Sequence, residues 1–141
     1  RCEVGNVTAI ETFADGAAWA DACASRLTGA LAAALADTGR AVFAGSGGST
    51  PAPIYRRMAG ADLDWSRVAV TLIDERYVPE ISPDSNAALM KRTLLTGNAA
   101  AARFLPLYSP SVTVDRAAAE ASKALAEQFK AAVGKAGAGF C

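Results

Sequence analysis

Residues 40–51 read Arg-Ala-Val-Phe-Ala-Gly-Ser-Gly-Gly-Ser-Thr-Pro, and this stretch decides the fold. The run of residues 41–44 is short and apolar and includes Val and Phe, a composition typical of a buried strand. The residues that follow are Gly, Ser and Thr, and Pro51 then fits the first turn of a helix. The stretch therefore predicts a strand, a glycine loop and a helix start, in that order.

The glycine loop is a candidate anion site. Gly45, Gly47 and Gly48 permit positive φ and carry no Cβ, so several backbone N–H groups can converge on one point. Ser49 and Thr50 add two hydroxyl groups to the same loop. The loop has neither the Lys-Ser/Thr pair of a Walker A motif nor the spacing of a dinucleotide fingerprint. Phosphate binding and an ordinary connection of small residues are therefore both compatible with the loop alone.

Patterns along the rest of the chain predict strands that alternate with helices. Strands are expected at 7–13, at 68–73, where six uncharged residues indicate burial on both faces, and at 104–108. Helices are expected from a cap at Asp15 to about Asp37, over 52–58, from Asn86 to about Gly97, and from Thr113 or Asp115 to Val133. This alternation predicts a single α/β domain over residues 1–141, with right-handed βαβ connections and a mainly parallel sheet.

Two of these helices carry apolar positions at helical spacing, which predicts that each covers the sheet with one side. In the first helix the predicted inward residues are Trp19, Cys23, Leu27, Ala30, Leu31, Ala34 and Leu35. In the last helix they are Ala118, Ala121, Leu125, Phe129 and Val133.

Three charged residues, Asp74, Glu75 and Arg76, stand together where the predicted strand at 68–73 ends. Parallel α/β sheets bind ligands outside the carboxyl ends of their strands, and the glycine loop also follows a candidate central strand. Both features are therefore expected at one edge of the sheet, which favours a phosphorylated ligand. The alternative for the charged residues is a solvated strand end with a local ion pair.

Composition excludes several functional classes. Fourteen basic residues balance fourteen acidic residues, so no general attraction to nucleic acid or to an anionic membrane is expected. The chain has no histidine, so Ser-His-Asp and Cys-His catalysis cannot be performed by these residues alone. No apolar stretch is long enough to span a membrane. Cys2, Cys23 and Cys141 are far apart and lack metal-ligand spacing, so we expect a cytoplasmic protein with no metal site.

Four sequence blocks carry a resemblance to a known family. They are Ser-Gly-Gly-Ser-Thr-Pro at 46–51, Asp-Trp at 64–65, Asp-Glu-Arg-Tyr-Val-Pro at 74–79 and Ser-Pro-Asp-Ser-Asn at 82–86. In order and spacing they resemble the N-terminal half of the 6-phosphogluconolactonases, and the resemblance covers about residues 7–133. It implies the Rossmann-like, doubly wound fold with helices on both faces that glucosamine-6-phosphate deaminases and ribose-5-phosphate isomerases share. Arg76 favours the lactonases, because the deaminases usually have an Asp-Glu-Tyr block.

The resemblance implies hydrolysis of 6-phosphoglucono-1,5-lactone to 6-phosphogluconate in the oxidative pentose phosphate pathway. The expected partner is a small sugar phosphate, with no cofactor, no nucleic acid and no membrane, and the expected state is a monomer or weak homodimer. By the same resemblance, the residues that hold the 6-phosphate are Gly47, Gly48, Ser49 and Thr50.

The resemblance also suggests supporting catalytic roles for two charged residues. Asp74 matches an aspartate that does acid/base work in the deaminases, and in a lactonase a structural or electrostatic role is equally compatible. Arg76 is suited to bind the oxygens of the substrate or to fix its acidic neighbours. Glu75 and Asn86 are expected in the substrate pocket, and Asn86 is also expected to begin a helix.

One part of the family pattern is absent. The lactonases of this family have, beyond the matched region, an Asp-Gly-His block whose histidine is thought to activate water. We therefore expect residues 1–141 to be the N-terminal part of a longer domain and to be inactive alone, with the general base outside them. The alternatives are a glucosamine-6-phosphate deaminase or sugar-phosphate isomerase on the same fold, and a non-catalytic module that binds sugar phosphates.

Overall fold

The computed structural model describes residues 10–110 and 112–133. The α-helices and strands, in chain order, are α1 Gly16–Thr38, β1 Ala41–Gly45, α2 Ala52–Met58, β2 Val68–Leu72, α3 Asn86–Thr93, β3 Arg103–Phe104 and α4 Val114–Val133. Two short 3₁₀ helices, Trp65–Arg67 and Gly97–Ala101, stand before β2 and β3. No helix in the described part of the chain has both the length and the apolar character needed to cross a membrane.

The three strands form one parallel sheet in the order β1-β2-β3. Ala41 pairs with Val68 at one end of the β1–β2 ladder, and Gly45 pairs with Leu72 at the other. Parallel neighbours need a crossover connection, which α2 provides between β1 and β2 and α3 provides between β2 and β3. The predicted α/β arrangement with a parallel sheet is therefore confirmed.

Strand β2 is the centre of the fold, and each of its five residues is buried. Alternate residues point to opposite faces of a strand. One face belongs to a cluster with the buried residues of α2 and α3: Val68, Val70 and Leu72 of β2, Tyr55 and Met58 of α2, and Ala87 and Met90 of α3. On the other face, Thr71 donates a hydrogen bond to the Leu105 carbonyl (2.9 Å) and lines a cavity together with α4. Helices thus cover both faces, as predicted.

Helix α1 begins and ends at the residues that the sequence predicts. The Asp15 carboxylate accepts a hydrogen bond from the Ala18 N–H (2.8 Å), which satisfies one of the unpaired donors of the first turn. Gly39 ends the helix in the left-handed conformation, with φ 75°. Leu31 is buried as predicted, but the other buried residues are Ala20 and Ala24, and the predicted Ala30 is exposed. The inward side of α1 is therefore rotated around the helix relative to the predicted one.

The first predicted strand is wrong for the residues that are described. Residues 10–13 have no strand structure, and Ile10 is 92% exposed. A β-rich composition forms a strand only where a neighbouring strand supplies hydrogen-bond partners, and none of the described strands pairs with this segment. Residues 7–9 of that prediction lie outside the described residues.

Two element boundaries and one buried position differ from the sequence prediction. Helix α3 ends at Thr93 because the N–H groups of Leu94 and Leu95 both bond to the Met90 carbonyl, which ends the regular pattern. Strand β3 has two residues, and Pro106, which has no N–H to donate, follows shortly afterwards. In α4 Ala117 is buried, whereas the predicted Ala118 is exposed.

Candidate functional site

The glycine loop and the charged cluster lie at the same edge of the sheet. The pairing of Gly45 with Leu72 aligns the carboxyl ends of β1 and β2. Immediately beyond, the Ile73 N–H donates to the Gly45 carbonyl (2.9 Å). The residues that follow each strand therefore leave the sheet side by side, which confirms that the two features are neighbours.

The glycine loop needs glycine at two positions because there is no room for a side chain. A Cβ on Gly45 would overlap Met90 Cε and would lie 2.8 Å from the Tyr55 hydroxyl oxygen. A Cβ on Gly47 would overlap the carboxamide of Asn86. Gly48 has room around it but has φ 96°, a conformation that favours glycine.

Ser49 and Thr50 are exposed at the end of this loop, and their hydroxyl groups form no hydrogen bond within the described part of the chain. Both residues line a cavity of about 430 Å³ beside the first residues of α1, with Arg57 on its wall. The Arg57 guanidinium is paired with Asp21. The two hydroxyls are therefore available to a ligand, and their phosphate-binding role stays a prediction.

Glu75 binds the N-terminus of α3. One carboxylate oxygen accepts a hydrogen bond from the Asn86 N–H (2.8 Å). The other accepts from the Ala87 N–H (2.8 Å) and from the Ser85 hydroxyl (3.3 Å). These N–H groups have no partner within the helix, and the helix dipole favours a negative charge at this end. Glu75 therefore fixes α3 against the end of β2, a role that its position in the sequence did not reveal.

Arg76 forms no ion pair with Asp74 or Glu75, so the local ion pair considered from the sequence is not present among the described residues. Its Nη1 donates to the Asp84 carbonyl (3.0 Å) and to Asn86 Oδ1 (3.3 Å). Its Nε and Nη2 donate to no described residue, and the side chain is exposed. One nitrogen thus holds the guanidinium in place while two remain available.

Asn86 connects the features of this edge. It is 3% exposed, and its Nδ2 donates to the Asp74 carbonyl (3.0 Å) while its Oδ1 accepts from Arg76. Its carboxamide also lies directly against Gly47. The Asp74 carboxylate is exposed and has no partner among the described residues. The structure therefore brings Gly47, Asp74 and Arg76 around one buried side chain.

Tyr55 is a residue of this region that the sequence analysis placed only on the apolar side of a helix. Its side chain is 3% exposed and meets the Phe43 ring edge to face, with the centroids 6.0 Å apart. Its hydroxyl donates to the Ser46 carbonyl (2.9 Å), which ties the glycine loop to α2. Burial raises the pKa of the Tyr55 phenol above its ordinary value. No sequence signal identifies the carbonyl that this hydroxyl reaches.

Within residues 10–110 and 112–133, no three Cys, Asp or Glu side chains are grouped closely enough to hold a metal ion. Cys23 is a free thiol on the half-buried side of α1. The expectation that the activity needs no metal or other cofactor remains a prediction.

A parallel sheet with a glycine loop and charged residues at its carboxyl edge defines an α/β protein of the kind that binds ligands at that edge. The family model described as glucosamine-6-phosphate isomerases/6-phosphogluconolactonase matches residues 14–138. The chain belongs to this family.

Several relatives of known name match the same region. The chain is 47% identical over 112 residues to 6-phosphogluconolactonase of Caulobacter vibrioides, which covers 79% of this chain and 48% of the relative. It is 42% identical over 109 residues to 6-phosphogluconolactonase of Pseudomonas aeruginosa, covering 77% of this chain and 46% of the relative. The crystal structure of a 6-phosphogluconolactonase from Shewanella baltica matches with a TM-score of 0.76 at 33% identity, over 80% of this chain and 48% of that one. The chain thus spans about half the length of these relatives, and the resemblance stated from the four sequence blocks is confirmed.

Proposed function

We propose that the complete protein is a 6-phosphogluconolactonase, which hydrolyses 6-phosphoglucono-1,5-lactone to 6-phosphogluconate in the oxidative pentose phosphate pathway. The observation that carries this proposal is the meeting of the glycine loop and Arg76 around Asn86, inside the region that is 47% identical to a relative named 6-phosphogluconolactonase. The glycine loop supplies donors for a phosphate group, and Arg76 supplies donors for further oxygens of the same ligand.

In the proposed reaction the oxygen of water bonds to the lactone carbonyl carbon, and the bond from that carbon to the ring oxygen breaks. The ring oxygen takes a proton and leaves as a hydroxyl group, and the new carboxylic acid loses a proton. No electrons are transferred, so the reaction needs no redox partner. Its demands are a held substrate, a base for water and donors for the oxygen that becomes negative.

The described residues would hold the substrate and would supply some of the donors for the oxygen that becomes negative. The backbone N–H groups of Gly47 and Gly48 and the hydroxyls of Ser49 and Thr50 would hold the 6-phosphate. The free Nε and Nη2 of Arg76 would bind oxygens of the sugar, since charge-assisted hydrogen bonds are stronger than neutral ones. Asp74, whose carboxylate is unpartnered, would give electrostatic support. Glu75 would act on the pocket through α3, because both its oxygens bind the start of that helix.

Lactone hydrolysis by the product of the complete reading frame tests the proposal. We expect it to accelerate lactone loss above the spontaneous rate and to remain active after treatment with a chelator. The same preparation is assayed with glucosamine 6-phosphate and ribose 5-phosphate. Turnover of either compound without lactone hydrolysis would assign the protein to the deaminases or isomerases instead. Binding without any turnover would indicate a sugar-phosphate-binding module.

The 141-residue chain by itself is expected to bind inorganic phosphate weakly and to catalyse nothing. It contains no histidine, and the loss of a positioned general base typically costs about 10²- to 10⁴-fold in rate. Turnover by the purified chain near that of a full-length relative would show that the base lies within these residues. A cytoplasmic location and a monomeric or weakly dimeric state belong to the same proposal, and sedimentation of the purified protein tests the second.

A further inference from the structure

We infer that Asn86 is a positioning residue whose buried carboxamide holds the glycine loop and the Arg76 guanidinium in one fixed arrangement. The inference rests on the proposed function in one respect, because it is that proposal that makes the loop and Arg76 ligand-binding groups. Asn86 itself is buried and acts on a ligand through these two groups.

The orientation of the Asn86 carboxamide is fixed by its partners. The Asp74 carbonyl can only accept a hydrogen bond, and the Arg76 guanidinium can only donate one. Only one of the two amide orientations satisfies both, with Nδ2 on Asp74 (3.0 Å) and Oδ1 on Arg76 (3.3 Å). The backbone N–H of Asn86 is held by Glu75 (2.8 Å). The side chain is therefore held at both ends, at 3% exposure.

The glycine loop rests on this carboxamide. A Cβ on Gly47 would overlap Oδ1 and Cγ of Asn86 and would lie 2.7 Å from its Nδ2. The positive-φ glycines of the described chain are Gly39, Gly48 and Gly97, so a left-handed φ is not what requires glycine at position 47. Gly47 is glycine because Asn86 fills the space, whereas Gly48 is glycine because of its φ of 96°.

Asn86 links two segments that follow different strands. The glycine loop follows β1 and Arg76 follows β2, and no hydrogen bond joins them directly among the described residues. Both contact the carboxamide at the start of α3. A movement of that side chain would therefore change the distance between the phosphate-binding loop and the guanidinium.

A double-mutant cycle on the product of the complete reading frame tests the contact with the loop. Gly47→Ala is expected to lower the folding equilibrium constant at least about tenfold, because the added methyl group meets the carboxamide. In the Asn86→Ala background, where those atoms are absent, Gly47→Ala is expected to lower the folding equilibrium constant less than about threefold. Asn86→Ser, which also lacks the carboxamide, provides a second background if Asn86→Ala does not fold.

Gly48→Ala is the matched control. No atom lies within 4 Å of its added Cβ, and its penalty comes from φ. We therefore expect Gly48→Ala to lower the folding equilibrium constant by the same factor in the original and in the Asn86→Ala backgrounds. Equal penalties for Gly47→Ala in the two backgrounds would overturn the inference for the loop.

Nitrogen relaxation of the Arg76 Nε–H group tests the contact with the guanidinium, and it is a signal that a merely structural role of Asn86 would not change. We expect the Nε–H to be more mobile in Asn86→Ala than in the original chain, because only the Asp84 carbonyl (3.0 Å) then still accepts a hydrogen bond from Nη1. Unchanged relaxation in a folded Asn86→Ala or Asn86→Ser chain would overturn this part. Neither measurement uses a ligand. A failure of inorganic phosphate to shift the amide signals of residues 47–50 would therefore count against the proposed function and not against this inference.

Discussion

The two connections at the carboxyl edge of the sheet are built by opposite means. Residues 46–51, after β1, have three hydroxyl side chains that bond to no described residue, and the loop takes its shape from the small space left for it. Residues 73–85, after β2, are held by hydrogen bonds among side chains and backbone, with the Glu75 carboxylate and the Arg76 guanidinium at their centre.

The difference separates what each connection can offer a ligand. A loop of small residues leaves its N–H groups and hydroxyls unused, so they can turn to an anion. A connection that satisfies its own polar groups is rigid, and it offers a ligand only the polar groups that remain unpaired. After β2 those groups include the Asp74 carboxylate and two nitrogens of Arg76. Substitutions that act on space in one connection and on hydrogen bonds in the other test this contrast.

The largest effect is expected for Glu75→Ala. Its carboxylate accepts hydrogen bonds from two backbone N–H groups at the start of α3, and its removal leaves both without a partner. We expect a loss of about 2–3 kcal/mol in the free energy of unfolding, measured by urea denaturation.

The control for this prediction is the neighbouring residue. The Asp74 carboxylate is exposed and has no partner in the described part of the chain, so Asp74→Ala should change the free energy of unfolding by less than about 0.5 kcal/mol. Equal losses for the two variants would mean that the connection after β2 is not held by Glu75.

A smaller effect, about 1–2 kcal/mol, is expected for Gly45→Ala. The added Cβ meets Met90 Cε, which is the flexible end of its side chain, and the rigid Tyr55 ring, whose hydroxyl oxygen lies 2.8 Å away. Gly16→Ala is the control, because no atom lies within 4 Å of its added Cβ. Thermal unfolding of both variants measures the difference. A Gly45→Ala chain as stable as the original would show that the loop after β1 is not limited by space.

The smallest effect is expected for Tyr55→Phe, which removes the hydrogen bond to the Ser46 carbonyl and leaves the ring in place. We expect a loss of about 0.5–1 kcal/mol, since Ser46 is exposed and water can replace the hydroxyl. Tyr108→Phe is the control, because its hydroxyl bonds to no described residue. A larger loss of stability for Tyr55→Phe than for Gly45→Ala would reverse the expected order.

The stability of the folded chain should also depend on pH through Tyr55. Burial raises the pKa of its phenol above the ordinary value of 10.0, so the folded chain keeps this proton to a higher pH than the unfolded chain. The contribution of Tyr55 to stability is therefore complete below pH 10.0 and is lost as the pH rises through the folded-state pKa. Denaturation between neutral pH and this alkaline range should show a smaller loss in Tyr55→Phe than in the original chain. Equal losses would contradict the raised pKa.

Local sequence patterns determined most of the elements. The cap at Asp15, the stop at Gly39 and the apolar run before the glycine loop depend on residues a few positions apart, so they can be recognised without a structure. The parallel arrangement and the position of both candidate site segments at one edge followed from the alternation of strands and helices. The predicted strand at 7–13 failed over residues 10–13, because a strand depends on a neighbour that composition does not specify.

The sequence by itself determined where the chain forms its central strands and which residues stand at their ends. Only the tertiary structure decided what those residues do: that Glu75 holds α3, that Gly47 rests on Asn86 and that the Tyr55 hydroxyl reaches Ser46. The physical reason is distance along the chain. Helix caps and hydrophobic periods are set by near neighbours, whereas these contacts join residues 9–39 positions apart whose approach depends on how the strands and helices pack together.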